Sequence, residues 1–237
     1  MTACARPLAR RTCHVMWNRE LNTSCAFCAR ETLAPLLAET EHFFLLADHA
    51  PLVEGHLLII PRAHYACFGA LPVDLEDELL ALKARVRAFF VARYQTPAFF
   101  EHGVFRQTVP HAHLHALPFG ALPVDLPALA AEGGREARSL EDVRRWYGEQ
   151  GHYFYLEQPH DGAGYGEAAI FPPVEARYFA VLAALRQAAG RLTPFQPQPV
   201  RRALGAGRVR ALAAAWHAYD EAEGDVDNGS PRSAQAQ

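Results

Sequence analysis

The residues whose types and spacing could do the most chemistry lie close together: Gln107-Thr108-Val109-Pro110-His111-Ala112-His113-Leu114-His115-Ala116-Leu117-Pro118. Histidines alternate with small or apolar residues, which is the period of a β-strand. An extended chain here carries three imidazoles on one face and Ala112, Leu114 and Ala116 on the other. A helix would spread the three over about half its circumference, since it turns every ~3.6 residues. Three imidazoles on one face suit a metal site, a phosphate site, or a nucleophile with helpers. If a metal takes His111, His113 and His115 are left facing one site. A neutral imidazole can attack phosphorus through one nitrogen and form a covalent phosphoramidate, while its other nitrogen donates to a carbonyl. Gln107, the Thr108 hydroxyl and His115 are donors suited to the charge that develops on the phosphoryl oxygens. On spacing alone, three histidines ligating a metal that activates water is an equal alternative.

A second chemical stretch is Ser24-Cys25-Ala26-Phe27-Cys28. Two thiolates in a tight turn form half of a tetrahedral zinc site. A redox CxxC would open a helix in a βαβ unit, and no such unit is visible here. The missing half-site is sought among His49, His56, His64, His102, His111 and the rest of the triad. His64 falls just past a strand end and His111 just before the triad strand, where side chains can converge on a loop. A free thiol pair is the alternative.

The elements that must position these residues follow from patterning. His42–Asp48 and Gly55–Ile60 read as strands joined in an antiparallel hairpin, the second stopped by Pro61. Asp74 is the expected N-cap of a helix to about Tyr94, with Leu75, Leu79, Leu82, Val86 and Phe89 on one core stripe. Ala98–Glu101 is the next strand. Residues 119–138 read as loop with a short helix, and Glu141–Gly148 as helical. Tyr153–Glu157 and Glu167–Phe171 read as a strand pair, and Gly162–Gly166 between them as a plain turn. A helix is expected from Pro173 to Leu192, then a stiff connector at Pro194, Pro197 and Pro199, then a helix from about Gly207 to Glu223. The expected class is α+β, a mostly antiparallel sheet packed by helices, with a C-terminal extension of strands and helices. The expected divisions are a lead-in over 1–22, a catalytic domain over 23–120, an extension over 121–223 packed on that domain, and a disordered tail over 224–237. Cys4, Cys13 and His14 in the lead-in have no role assigned.

Composition narrows the function classes. The chain has 237 residues, ample for a core. Its net charge of −3 gives no reason to expect broad nucleic-acid binding. No apolar run approaches the ~20 residues of a membrane span, and Met1–Trp17 has Arg6, Arg10 and Arg11 but no apolar block of a secretory signal behind them. Five cysteines, two of them in a CxxC, argue for a reducing, cytoplasmic setting.

These residues match a family. His111-Ala112-His113-Leu114-His115-Ala116-Leu117 resembles the histidine triad (HIT) signature, and Gln107-Thr108-Val109-x-His111 resembles its lead-in. Asp48-x-x-Pro51-x-x-x-Gly55-His56-x-Leu58-x-Ile60-Pro61-x-x-His64 resembles the hairpin signature. The CxxC is similar to that of zinc-bearing members. The resemblance covers about residues 23–118 and implies a HIT-like fold. It implies a nucleotide hydrolase, or a nucleotidyltransferase, acting on a small nucleotide through a covalent nucleotidyl-histidine. His113 would be the nucleophile, His115 would bind phosphate oxygens, and Thr108 and Gln107 would contact phosphate or leaving group. Asp48 would bind ribose hydroxyls. Cys25, Cys28, His64 and His111 would hold one structural zinc. Arg106 stands where relatives often have Gly, facing either extra phosphate or solvent. Glu101-His102 stands where they often carry Asn, and Glu101 is grouped with the substrate contacts. Small relatives are often dimers, which leaves a homodimer open. Two rival classes are a metal- or haem-dependent enzyme reusing the triad and a non-catalytic nucleotide-binding protein.

Overall fold

The computed structural model describes residues 25–30, 33, 35–125, 128, 133–160, 162, 164–192 and 196–229. The lead-in, with Cys4, Cys13 and His14, lies outside the described residues, as does 230–237.

Among the described residues eight strands form one sheet: β1 (Leu36–Glu39), β2 (Phe43–Ala47), β3 (Leu57–Pro61), β4 (Ala98–Glu101), β5 (Leu114–Leu117), β6 (Arg135–Glu136), β7 (Phe154–Glu157) and β8 (Ala168–Phe171). Their order is β1-β2-β3-β5-β4-β7-β8-β6, and all the strand pairs are antiparallel. The architecture is the expected α+β arrangement of a mostly antiparallel sheet, with helices on both faces. The predicted hairpin is β2–β3, running from Phe43↔Pro61 to Ala47↔Leu57. Its apolar run is unbroken because both faces are covered. Phe43, Leu45, Leu57 and Ile59 enter one core cluster, and Phe44, Leu46, Leu58 and Ile60 another.

Helix α1 (Glu76–Arg93) lies on the first face. Its predicted stripe is buried: Leu75, Leu79, Leu82, Val86 and Phe89 all join the main core. The predicted N-cap is not. Asp74 sits in a 3-10 turn, Val73–Leu75, and the position before the helix is Leu75, without a side-chain cap. Glu76, Asp77 and Glu78 in the first turn meet the positive end of the helix dipole instead. Helix α2 (Leu140–Gln150) is capped by Ser139, whose side chain accepts from the Asp142 N–H, and ends at Gly151 in the left-handed region.

The C-terminal half continues the same sheet. β7 pairs with β4 at Phe99↔Glu157 and Glu101↔Tyr155, and β8 pairs with β7. The predicted strand pair and the turn inside it are therefore present. β6, in a stretch expected to be loop with a short helix, adds to the outer edge of β8. Helix α3 (Glu175–Leu192) covers the second face, placing Val181, Leu185, Ala188 and Ala189 against Phe100, Leu117, Phe154 and Phe171. Helix α4 (Gln198–Gly229) crosses back to the first face, where Trp216 is fully buried 4.9 Å from the Phe89 ring. It begins nine residues before the predicted Gly207, within the proline connector. It also continues through 224–229, part of the stretch expected to be a disordered tail. No helix among the described residues is long and apolar enough to cross a membrane.

Candidate functional site

Two histidine sites stand on either side of one turn of chain. The first gathers residues from three places. Cys25 and Cys28 come from the loop before β1, His64 from just after β3, and His111 from just before β5. One ligand atom from each lies within 4.8 Å of all the others. Sγ of Cys25 is 3.5 Å from Nδ1 of His111, and Sγ of Cys28 is 3.3 Å from Nδ1 of His64 and 3.6 Å from Nδ1 of His111. A tetrahedral ion with ordinary zinc–sulfur and zinc–nitrogen bonds separates S and N by about 3.5 Å, so the four donors fit one. His111 Nε2 donates to the Pro61 carbonyl at 2.8 Å, which leaves Nδ1 with its lone pair facing the thiols. Phe27, between the two cysteines, packs edge-on against both His111 and His113. The metal set is thus mechanically tied to the second site.

The second site is a cleft of about 290 Å³ on the second face of the sheet. His113, His115 and Thr108 form its floor, with Asp48 and His56 on one side and Phe100 and His102 on another. Extended geometry sends residues 113 and 115 this way, while Ala112, Leu114 and Ala116 enter the core. His113 Nδ1 donates to the carbonyl of His111 at 2.6 Å, so Nε2 is the bare nitrogen. Burial holds His113 below the usual imidazole pKa, against the opposing pull of the His111 carbonyl and Asp48. That direction favours the neutral form, the one a nucleophile needs.

A chain of hydrogen bonds sets the tautomer of His115. The Leu52 N–H donates to Nδ1 of His56 at 3.2 Å, and Asp48 Oδ2 lies 3.6 Å from the same nitrogen. His56 Nε2 then carries the proton and donates to Nδ1 of His115 at 2.9 Å. His115 Nε2–H is left as a donor, buried and with no partner among the described residues. Burial, then the neighbouring imidazoles His113, His56 and His102, push His115 well below the normal range. Asp48, His56 and His115 also lie close enough to suggest a metal. Their geometry fits poorly. Two imidazole nitrogens on one ion stand about 3.3 Å apart at zinc–nitrogen bond lengths, and the carboxylate faces the other nitrogen of His56.

Of the expected substrate contacts, Asp48, Thr108 and Arg106 line the cleft. Arg106 and Val104 hold positive φ, 55° and 70°, an uncommon backbone state for such side chains. Gln107 is not part of the lining; its amide donates to the Ala66 carbonyl at 3.0 Å. Glu101 is a correction. It is 1% exposed on the opposite face of β4, where it accepts hydrogen bonds from the Phe68 N–H and the Tyr153 hydroxyl. Its neighbour Phe100 is the residue that faces the cleft, because strand positions alternate.

Sequence reasoning missed four cleft residues. His56 stands in the hairpin motif and His102 beside Glu101, and the sequence marks both as candidate metal ligands but not as cleft residues. Arg186 of α3 and Arg201 of α4 had no local signal. Both reach the cleft from elements distant in sequence.

A family described as "Protein similar to CwfJ C-terminal" matches residues 15–127. The chain is 31% identical over 103 residues to the adenosine 5'-monophosphoramidase HNT1 of Saccharomyces cerevisiae, covering 41% of this chain and 64% of that protein's length. It is 30% identical over 98 residues to a HIT-like protein of Mycobacterium tuberculosis, covering 40% of this chain and 68% of that one. Among solved structures, a zinc-bound histidine triad family protein from Mycobacterium smegmatis is 28% identical, covers 40% of this chain and 74% of its own, and superposes with a TM-score of 0.35. With the triad strand and its hairpin on the page, the 30% identity to the HIT-like protein of Mycobacterium tuberculosis over 68% of its length shows that the chain belongs to the histidine triad family.

Proposed function

We propose that this protein is a nucleotide hydrolase, or a nucleotidyltransferase, acting at a nucleoside α-phosphate through a nucleotidyl-His113 intermediate. One observation carries the reading. His113 donates its Nδ1 proton to the His111 carbonyl, leaving Nε2 without a proton at the cleft. That nitrogen forms a P–N bond as the bond from phosphorus to the leaving group breaks. The His115 Nε2–H, oriented through His56, meets a non-bridging oxygen or the departing atom, where an orphan buried donor is worth most. Thr108 offers a hydroxyl at the same place. Asp48 takes the ribose hydroxyls. Water, or another acceptor, then breaks the P–N bond and restores His113.

Cys25, Cys28, His64 and His111 are assigned one structural zinc, which would tie the CxxC loop to the sheet and Phe27 to His113. Residues 23–120 act as the catalytic unit and 121–223 as an extension, in a protein of the cytoplasm. The name of the yeast relative suggests the first substrate to try, an adenosine 5'-monophosphoramidate.

The test is intact-mass analysis after mixing with that compound, together with turnover by the wild type and by His113→Ala. Expected are a transient adduct of one nucleotidyl group in the wild type, and none in a folded His113→Ala protein whose turnover falls by about 1000-fold or more. No adduct and no turnover in the wild type would favour a non-catalytic nucleotide-binding protein. Full activity in His113→Ala would remove the covalent route.

A further inference from the structure

Two neighbours compete for Nδ1 of His56. The Leu52 N–H donates to it at 3.2 Å, which needs a bare nitrogen. Oδ2 of Asp48 stands 3.6 Å from the same atom, and a carboxylate favours a proton there. The outcome decides what His115 offers the cleft it lines. With Nδ1 bare, the His56 proton is on Nε2 and is donated to Nδ1 of His115, so His115 keeps an Nε2–H. With a proton on His56 Nδ1, both rings reverse. His115 would then donate from Nδ1 to His56 Nε2, and its own Nε2 would be bare. The loop that carries both Asp48 and Leu52 therefore sets whether the cleft has this donor.

That loop is held by the far end of the chain. Asp48 Oδ1 accepts from the Ala50 N–H at 2.7 Å, and the Ala50 carbonyl accepts from the guanidinium of Arg201 on helix α4. Arg201 is itself fixed: its Nε donates to the Gln196 carbonyl at 3.2 Å, and its backbone N–H to the Pro197 carbonyl at 3.0 Å. The next residue, Arg202, donates to Nε2 of His49 at 3.2 Å. One turn on, a Cβ on Gly205 would overlap the His49 carbonyl oxygen and stand 3.2 Å from Cδ of Pro51. A glycine inside a helix costs about 1 kcal/mol against alanine. Here it permits backbone to lie on backbone. Helix α4 thus grips three consecutive residues, 49 to 51, from beyond residue 127, where the family match ends.

We propose that Arg201 is a positioning residue: by holding the Ala50 carbonyl it keeps the Leu52 N–H on His56, and so fixes the tautomers of His56 and His115. The C-terminal extension then orients a donor of the cleft without itself reaching the reacting atoms. Only the expected effect on rate rests on the nucleotide reading above.

Two measurements on the full chain test it. Long-range proton–nitrogen correlation spectra report which ring nitrogen carries the proton, with no substrate present. Both His56 and His115 should be single Nε2–H tautomers in the wild type. Arg201→Met removes the donor at similar length and should give Nδ1–H on both rings, whereas Arg201→Lys should restore the wild-type pattern. Thermal melting checks folding. If Arg201→Met does not fold, Gly205→Ala decides, since it forces α4 off the loop with Arg201 intact and should shift the tautomers the same way. The second measurement is turnover of adenosine 5'-monophosphoramidate. Arg201→Met should lower kcat by about tenfold. Combined with His56→Leu it should add less than about twofold to the loss from His56→Leu alone, because both act through one ring.

Nδ1–H on either ring of the wild type, unmoved tautomers in a folded variant, no recovery in Arg201→Lys, or fully multiplicative losses would overturn the proposal. Tautomers that move with Arg201 in a protein without turnover would sink the catalytic reading and keep this one. Turnover through a His113 adduct with tautomers that ignore Arg201 would do the reverse.

Discussion

The two faces of the sheet at β4 and β7 are both crowded with ionisable side chains, and they differ in where unsatisfied atoms point. On the second face His113 and His115 present a bare nitrogen and an orphan N–H to a cleft. On the first face Glu157 is fully buried, but Lys83 at 2.5 Å, Arg87 at 2.6 Å, His160 at 2.9 Å and the Tyr155 hydroxyl surround it. Its charge is answered by protein. Burial works against ionisation of Glu157, yet Lys83 and these hydrogen bonds outweigh it and hold the carboxyl well below its usual range. The lesson is that density of chemical residues does not mark a site. Donors and acceptors left aimed at empty volume do.

The comparison is strained most by the CxxC cluster, which resembles the first face in being closed and the second in lacking internal neutralisation. If a zinc completes it, Cys25→Ser should abolish metal binding and cause the largest loss of stability among these substitutions. Zinc-finger sites couple about 10–16 kcal/mol of metal binding to folding, and a chain with a large independent core should lose less. Metal analysis of the purified protein should find one zinc in the wild type and in His113→Ala, and none in Cys25→Ser. Zinc lost with His113 would merge the two sites that the geometry separates.

A direct attack on the closed face is next in size. Glu157→Gln keeps the shape and removes the charge that Lys83 and Arg87 share, leaving two buried cations facing each other. Breaking such a network by removing one partner costs about 3–5 kcal/mol, read as a lower denaturant midpoint. A change near zero would mean that water reaches this network.

Much of the open face was legible in the sequence because its signals are local. Strand alternation separates His111, His113 and His115 from Ala112, Leu114 and Ala116, and proline stops mark the ends at Pro61 and Pro118. The ligand set was legible because the two histidines stand at element edges. Glu101 was misplaced because a motif position says nothing about which face a strand residue takes. Lys83 and Arg87 are one helical turn apart on α1, and nothing near them in sequence announces burial. β7, placed more than 60 residues later, covers them. Arg186 and Arg201 were missed for the same reason: what brings them to the cleft is packing of α3 and α4, which no local pattern encodes.

Glu101 offers a finer contrast with Glu157, since it shares the face but has no cation paired with it among the described residues. Burial pushes its pKa up to about 7, with the Tyr153 hydroxyl and Phe68 N–H only partly offsetting. The folded state therefore prefers the protonated acid. This group contributes stability fully below its unfolded pKa, near 4.5, and the contribution is lost as pH rises through about 7. Between pH 5 and 7 the loss should be about 2 kcal/mol. In Glu101→Gln that slope should vanish, as measured by denaturant unfolding at each pH. An unchanged slope would assign the pH dependence elsewhere.

The smallest expected effect tests whether the open face works as a relay or as separate imidazoles. His56 does not reach the nucleophile; it fixes which nitrogen of His115 carries the proton. His56→Leu removes that donor, lets His115 take either tautomer, and should lower kcat by about tenfold with little change in KM. His56→Gln can place an amide N–H near the lost Nε2–H and should recover much of the rate. A structural role alone would treat the two substitutions alike, because both side chains fill the space beside His115. The pH profile adds an independent check. With the His56 donor gone, His115 Nδ1 has no protein proton facing it, so the acid limb of the rate profile should move upward in His56→Leu and back in His56→Gln. Equal losses and an unmoved profile would reduce the hydrogen-bond chain to packing, with His113 still held by the His111 carbonyl.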